Sequence, residues 1–331
     1  MTDVARLAGV SHQTVSRVLN NHPHVHPRTR LIVLAAVREL GYQPNTVARA
    51  LATGRTKTLG VITPAGTHYG PASILNAIEA AAREAGYGVS VASRRPEADE
   101  SVAEAVLRMH RQGVAGIIVI APHAVAGAPL GDLATVIPLV LIEGTPGGEL
   151  AVVSVDQTAG GRLATEHLLA LGHPTVWHIA GPSSWSESVG RTNGWRAALD
   201  QAGAAIPPLR RGDWSPASGY GFGQELAGRP EISAVFVAND QMALGLLRAL
   251  GEHGRRVPEE VSVVGFDDIP EAGYFAPPLT TVRQPFEQVG RRSVSTLLAQ
   301  LESGAPQLDR ETIAPELVVR ESTAPPPAAL P

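Results

Sequence analysis

Apolar positions along the chain follow two rhythms, and the change between them divides it. From Val4 to Leu40 they recur at helical spacing. Val4, Leu7 and Ala8 stand at i, i+3 and i+4 and share one face of a first helix, which Gly9 ends, with Arg6 pointing away. Ser11 offers a hydroxyl cap to a second helix, whose Val15, Val18 and Leu19 face inward at the same spacing. A third helix runs from about Pro27, a residue suited to a helix start, to Leu40, and Gly41 ends it. Residues 1–45 therefore predict an all-α domain of helix-turn-helix type.

From Thr58 the rhythm becomes short aliphatic runs alternating with helical patterns. Leu59 to Ile62, Val89 to Ala92, Gly116 to Ile120 and Pro138 to Ile142 predict strands, with helices over Ser73 to Ala85 and Ser101 to Arg111 between them. The pattern restarts with strands at Thr175 to Ala180, Ala234 to Val237 and Val261 to Gly265. Such alternation implies α/β architecture, and two successive sets imply two lobes, each a parallel sheet flanked by helices. The core is expected over 58–322, with an N-lobe of about 58–155 and 286–318 and a C-lobe of about 156–282. The Pro- and Ala-rich end, 323–331, is expected to stay unfolded.

Between the two rhythms lies Thr46 to Gly54, a helical pattern of nine residues within a 46–57 hinge and linker. An isolated helix below ~12 to 15 residues is not stable in water, so this one predicts a switch that folds when something packs on it. Ala48, Leu51 and Ala52 share one face, which allows two copies to pair and wedge Leu51 into a minor-groove base step.

Charge sharpens this division. Residues 1–57 carry a net charge of +6 and the remaining 274 a net of −10, within a total of −4. A basic head on an acidic body is the distribution of a protein that docks one end on nucleic acid. His12, Gln13, Ser16 and Arg17 fall on the outward face near the start of the second helix, where a recognition helix carries its base-reading side chains.

Composition then excludes classes. The 331 residues hold no cysteine, which rules out disulfides, Cys-zinc fingers and thiol catalysis. The start of the chain has no run suited to a signal peptide, and no stretch reaches the ~18 apolar residues of a membrane span, so a soluble cytoplasmic protein without membrane partners is expected. His22, His24 and His26 alternate along an extended stretch with no carboxylate nearby, which predicts a solvated turn and no metal site. Neither a nucleophile motif nor a metal spacing appears, and no cofactor, catalytic residue or enzymatic activity is expected.

In doubly wound folds ligands sit beyond the carboxyl ends of the strands, here in a cleft between lobes. Glu143, Asn239-Asp240 and Asp267-Asp268 each follow an aliphatic run, Arg191 lies near a helix start, and Trp214 sits in the loop Gly212-Asp213-Trp214-Ser215. An indole, a guanidinium and several acceptors suit a sugar, by stacking and hydroxyl hydrogen bonds. Singly, each has a duller reading: Asn239 and Asp240 as helix caps, Glu143 as a solvated turn residue.

A resemblance joins these observations. The phrases Asp3-Val4-Ala5, Ala8-Gly9-Val10-Ser11, Thr14-Val15-Ser16-Arg17-Val18, Leu19-Asn20, Thr29-Arg30, Leu40-Gly41-Tyr42 and Pro44-Asn45 resemble the DNA-binding head of the LacI/GalR family of bacterial transcription regulators. The resemblance implies that His12, Gln13 and Arg17 read bases, Arg17 being suited to guanine and Gln13 to adenine. With them Ser16, Asn20, Thr29, Arg30, Asn45, Ala48 and Leu51 form the implied DNA-binding set. Family members usually carry a few residues, with a capping Thr, ahead of the first helix; without that cap the helix is weaker by ~1 kcal/mol.

The likeness continues to about residue 322 through His167-Leu168, Leu171-Gly172-His173, Ile179-Ala180-Gly181-Pro182, Asn239 to Gly245, Ser262 to Asp268 and Pro278 to Val282, and implies a periplasmic-binding-protein-like core. Within the family it is similar to the lac-repressor branch. On that match Arg191, Trp214, Asn239, Asp267 and Gln284 fall on effector contacts, and Glu143 falls where that branch has the shorter Asp. Pro64 and Ile120 fall where it has polar residues. The implied function is a homodimeric repressor of carbohydrate-utilisation genes, bound to a pseudo-palindromic operator and released by a mono- or disaccharide. A repressor using a purine as corepressor is the alternative, since Trp214 stacks a base as readily as a sugar. A transport binding protein fits the body alone, and a glycoside hydrolase fits carboxylates in a cleft; the attached head argues against the first and the binding-type polar set against the second.

Overall fold

The computed structural model describes residues 1–19, 22–42, 56–94, 100–121, 130–144 and 150–328. Asn20, Asn45, Ala48, Leu51 and the expected hinge helix lie outside the described residues. The chain divides into two compact units, Met1–Lys57 and Thr58–Pro331.

In the first unit α1 (Thr2–Leu7), α2 (His12–Leu19) and α3 (Pro27–Glu39) close around Val4, Ala5, Ala8, Val15, Val18, Val33 and Ala36. The Ser11 hydroxyl accepts the Thr14 N–H at 3.1 Å and caps α2. His26, from the stretch of alternating histidines, caps α3, its Nδ1 accepting from Arg28 N at 3.3 Å, ahead of Pro27 in the first turn. One expectation fails here. Leu7 is 46% exposed, and Ala5 is buried in its place. At about 100° per residue, Val4, Ala5 and Ala8 form a stripe centred between Val4 and Ala5, which rotates Leu7 out of it.

The second unit contains two six-stranded sheets. The first comprises β1 (Thr58–Pro64), β2 (Gly88–Arg94), β3 (Gly116–Ile120), β4 (Leu139–Ile142) and β5 (Ala151–Val155), in the order β5-β4-β3-β1-β2. Packed with it are α4 (Tyr69–Glu84), α5 (Val102–Arg111) and α6 (Leu130–Ala134). β3 and β4 are buried at every position, as unbroken aliphatic runs in a sheet covered on both faces must be. A capping box fixes the start of α5: Ser101 Oγ accepts from Glu104 N at 3.2 Å, and Ser101 N donates to Glu104 Oε2 at 2.7 Å.

The chain then crosses to a second sheet through α7 (Gln157–Ala170), which Asp156 caps. This sheet contains β6 (Trp177–Ala180), β7 (Arg210–Arg211), β8 (Ala234–Val237), β9 (Ser262–Asp267) and β10 (Thr280–Arg283), in the order β10-β9-β8-β6-β7. Its connections carry α8 (Ser186–Gln201), α9 (Pro216–Ala227), α10 (Asp240–Glu252) and a short 3-10 turn, Pro270–Tyr274. From β10 the chain returns through α11 (Phe286–Ser303) to the first lobe, where β11 (Arg310–Ile313) pairs parallel to β5. It crosses a third time to β12 (Glu316–Val318), antiparallel to β10. In both lobes the strand order reverses beside the first strand, the geometry that opens a crevice at the carboxyl ends.

Two sequence expectations need correction. The return to the N-lobe was expected to last to residue 318, but Glu316–Val318 belongs to the second sheet, so the N-lobe segment ends with β11. The tail from 323 was expected to be unfolded, yet its start is paired: His167 Nε2 meets Thr323 Oγ1 at 3.0 Å, His173 Nε2 the Ala324 carbonyl at 3.0 Å, and Ala324 N donates to Ser262 Oγ at 3.0 Å. Composition cannot register these histidine partners, which lie on a distant helix and the turn after it. Among the described residues no helix is long and apolar enough to cross a membrane.

Candidate functional site

The head presents its polar candidates on a helix face. His12, Gln13 and Arg17 are exposed on α2 while Val15 and Val18 of the same helix are buried, and Ser16 is half-buried at the margin. Thr29 and Arg30, in the first turn of α3, are half-buried, and Arg30 Nη2 donates to the His22 carbonyl at 2.9 Å. That bond ties α3 to the stretch that follows α2. The buried valines fix the rotation of α2, so the exposed residues form a rigid row, as base reading requires.

In the second unit, Glu143, Arg191, Trp214, Asn239, Asp267 and Gln284 all line one cavity of about 270 Å³ between the two sheets. Four arrive by the strand-end rule or next to it, Glu143 after β4, Asn239 after β8, Asp267 at the end of β9 and Gln284 on the crossover after β10, while Trp214 comes from the loop after β7 and Arg191 from within α8. The N-lobe supplies a mostly apolar wall, with Ile74, Ile120 and Phe286 besides Glu143. The C-lobe supplies most of the hydrogen-bonding groups.

Arg191 is the node. Its Nε donates to Gln157 Oε1 at 2.9 Å, its Nη1 to the Ala238 carbonyl, and its Nη2 lies 3.6 Å from Asp267 Oδ1. The guanidinium sits over the Phe266 ring, 3.8 Å from the centroid. Gln284 Nε2 donates to Asp267 Oδ1 at 2.6 Å, and Gln157 Nε2 donates to Gln284 Oε1 at 2.8 Å and to Glu143 Oε1 at 3.3 Å. Glu143 Oε1 also accepts Val155 N at 2.9 Å. A closed polar circuit thus joins the two lobes through the start of α7 and the β10–α11 crossover. Close approach of α7 and α8 holds it: a Cβ on Gly161 would strike the Arg191 carbonyl, and one on Gly194 the Thr158 carbonyl.

Asn239 is the helix cap that the sequence offered as its duller reading, and it also lines the cavity. Its Oδ1 accepts Met242 N at 3.0 Å and caps α10, while Nδ2 donates to the Trp214 carbonyl at 3.1 Å and holds the indole's loop. Trp214 packs on the backbone of Gly181, where any Cβ would collide with the ring, and stands edge-on to Trp185 at 5.5 Å. Its buried Nε1 has no hydrogen-bond partner among the described residues. Asp240 is not at the cavity wall. It accepts from Thr281 Oγ1 at 2.6 Å and from Ile269 N at 2.9 Å, pinning the turn that carries Asp267 and Asp268.

Among the described residues, the non-glycine positions with left-handed backbone are Glu143 (φ 60°), Trp214 (74°), Asp267 (110°) and Asp268 (52°). Three of them line the cavity. Such conformations cost roughly 1–3 kcal/mol each and persist where the surroundings over-determine them. Here they turn strand-end side chains into the cleft.

Burial dominates the acid–base behaviour. It pushes Glu143 up to about 7, against the lowering effect of its hydrogen bonds. Burial, and then the charge of Glu143, push half-buried Glu187 up to about 8. Asp267 rises to about 6 by burial, opposed by Arg191 and Gln284. Behind α8, burial holds His178 down at about 3; it is a core residue stacked 4.4 Å from Phe236.

Sequence reading missed Gln157, Glu187, Trp185 and the aromatic wall of Tyr69 and Phe286. Gln157 follows β5, a strand not anticipated, so the strand-end rule was never applied to it. Glu187, an acidic residue in a first helical turn, has an ordinary dipole explanation that hides its role.

The model for bacterial regulatory proteins of the lacI family matches residues 1–45, and that for a periplasmic binding protein-like domain matches residues 165–323. The lactose operon repressor of Escherichia coli (strain K12) is 37% identical over 328 residues, 98% of this chain and 90% of the repressor. The transcriptional repressor PurR of Haemophilus influenzae (strain PittEE) is 33% identical over 327 residues, 97% of each chain. Among solved structures, a lac repressor dimer bound to operator and the anti-inducer ONPF superposes with a TM-score of 0.86 at 36% identity, covering 97% of this chain and 98% of that one. The transcriptional regulator CelR in complex with cellobiose superposes at 0.73 with 34% identity and the same coverage.

Proposed function

The chain belongs to the lacI family of bacterial regulatory proteins, and from that premise we propose that it is a cytoplasmic, homodimeric repressor of carbohydrate-utilisation genes, released from a pseudo-palindromic operator by a sugar. Two copies of the head occupy the two half-sites, with His12, Gln13 and Arg17 of each α2 reading base edges and Thr29 and Arg30 contacting the backbone. Asn20, Asn45, Ala48 and Leu51 complete the contacts. The protein binds and regulates, and does not turn over its ligand.

The observation that carries the sugar reading is the convergence of the six predicted residues, from both lobes, on one cavity with an aromatic wall and a hydrogen-bonded rim. A ligand bridging Glu143 of one lobe and Arg191, Asn239 and Asp267 of the other changes how the lobes sit on each other. It weakens operator binding only by favouring the arrangement that binds operator less well, and by linkage operator weakens ligand binding by the same factor. A PurR relative keeps a purine corepressor in view as the second reading, because Trp214 and Trp185 can stack a base.

Tryptophan fluorescence tests this directly, since all four tryptophans lie between positions 177 and 214. A saturable change with a mono- or disaccharide, lost in Asp267→Ala, is expected. Silence with every sugar and a response to a nucleobase would replace the sugar reading with the purine one.

A further inference from the structure

The cavity offers far more carboxyl than cation. Glu143, Glu187, Asp213 and Asp267 line it, and Arg191 is the only guanidinium or ammonium group among its described lining residues. Arg191 is already committed to Gln157, the Ala238 carbonyl and Asp267. Glu187, in the first turn of α8 on the C-lobe, has Ser186 Oγ as its side-chain hydrogen-bond donor, at 3.0 Å. It lines the same cavity as Glu143 of the N-lobe, and the charge of Glu143 reaches it. Glu143 spends one oxygen, Oε1, on Val155 N and Gln157. Two carboxyls from opposite lobes therefore share one cavity beside aromatic walls, and Arg191, the guanidinium whose charge reaches both, is already held by other partners.

Resting on the sugar reading above, we propose that Glu187 is a specificity-determining residue and that, with Glu143, it selects a sugar carrying a basic amino group, held as an ammonium between the two carboxylates. An ammonium supplies up to three donors, and between two carboxylates it bridges the lobes by opposite charge. The hydroxyls of the same ligand answer the remaining partners. Trp214 Nε1, a buried donor on an indole only 8% exposed, is left for a ligand oxygen. Without ligand, burial keeps protons on Glu143 and Glu187 near neutrality. Binding an ammonium displaces them, so affinity for it falls as pH is lowered through about 7.

The test is a fluorescence titration of the full chain with matched trios: glucosamine, glucose and N-acetylglucosamine; galactosamine, galactose and N-acetylgalactosamine; and the fully deacetylated chitobiose, cellobiose and chitobiose. An amine-bearing member should bind roughly ten- to hundredfold more tightly than its neutral counterparts, the span of a charge-assisted hydrogen bond to a buried carboxylate. Glu187→Gln should erase most of that preference. Glu143→Gln, read the same way, keeps the test alive if the first variant does not fold. A neutral sugar binding as tightly as its amine counterpart overturns the proposal and leaves the sugar reading intact, as does an amine preference untouched by both substitutions. Silence from every amino sugar also overturns it, and a response confined to nucleobases removes the sugar reading with it.

Discussion

The outward face of α2 and the cleft between the sheets, the two proposed recognition surfaces, are built in opposite ways. On α2, four polar candidates lie within six consecutive positions and a buried pair, Val15 and Val18, fixes them all, with His12, Gln13 and Arg17 projecting into solvent and Ser16 half-buried at the margin. In the cleft, Glu143, Arg191, Asp267 and Gln284 are held with Gln157 in one buried circuit, Asn239 holds the loop of Trp214, and three of these six candidates have a left-handed backbone. Independent exposed groups should fail one at a time; a coupled buried set should fail together. The lesson is that the cleft's residues depend on one another across both sheets, whereas the α2 face is set by the buried side of its own helix.

This contrast can be broken most forcefully at Arg191. Arg191→Ala strands Asp267 and Gln157 and should cost about 3–5 kcal/mol of core stability, the penalty for breaking a buried ion pair; chemical denaturation measures it, and a loss under ~1 kcal/mol would show that the circuit is not coupled. On the head, Arg17→Ala should cost roughly 1–3 kcal/mol of operator binding and relax discrimination at one base pair, with thermal stability unmoved. Unchanged discrimination would remove Arg17 from base reading. Ser11→Ala, which removes the α2 cap, should lower head stability by about 1 kcal/mol, read by helical circular dichroism of the melting protein.

The smallest effect is in pH. Glu143, Glu187 and Asp267 hold protons in the folded state up to about 7, 8 and 6. All three exceed their unfolded values, so their contribution to stability is full below the ordinary carboxylate range and is lost as pH rises through 6 to 8. His178, held down at about 3, acts in the other direction, contributing above its ordinary value and losing that contribution as pH falls. The ligand-free core should therefore melt at a lower temperature at pH ~8.5 than at pH ~6.5, and Glu187→Gln should shrink the difference. An unchanged pH slope in that variant would mean that Glu187 does not titrate in this window.

What was legible in the sequence follows the same division. The head was read through helical periodicity, which needs only neighbours in the chain, and its one error, Leu7 for Ala5, is a rotation within a single turn. The strand-end rule found Glu143, Asn239 and Asp267 because long aliphatic runs announce their strands. It lost Gln157 because Ala151–Val155 stands alone, with no helix before it to complete the alternation. The left-handed backbone at Glu143, Trp214 and Asp267 had no glycine to signal it. Nor could composition foresee that Ala324 would be held by His173 and Ser262, since pairing across the fold leaves no local trace.

The central claim is that occupancy of the cleft and operator binding are linked. Fluorescence anisotropy of a labelled operator duplex, selected from random sequence by the protein itself, measures this as mono- and disaccharides, amino sugars included, are added at saturating concentration. The account predicts that one of them weakens operator binding by about 5- to 150-fold, the usual span of allosteric coupling, and that Asp267→Ala no longer responds. Operator affinity unmoved by every sugar that fills the cleft would contradict it.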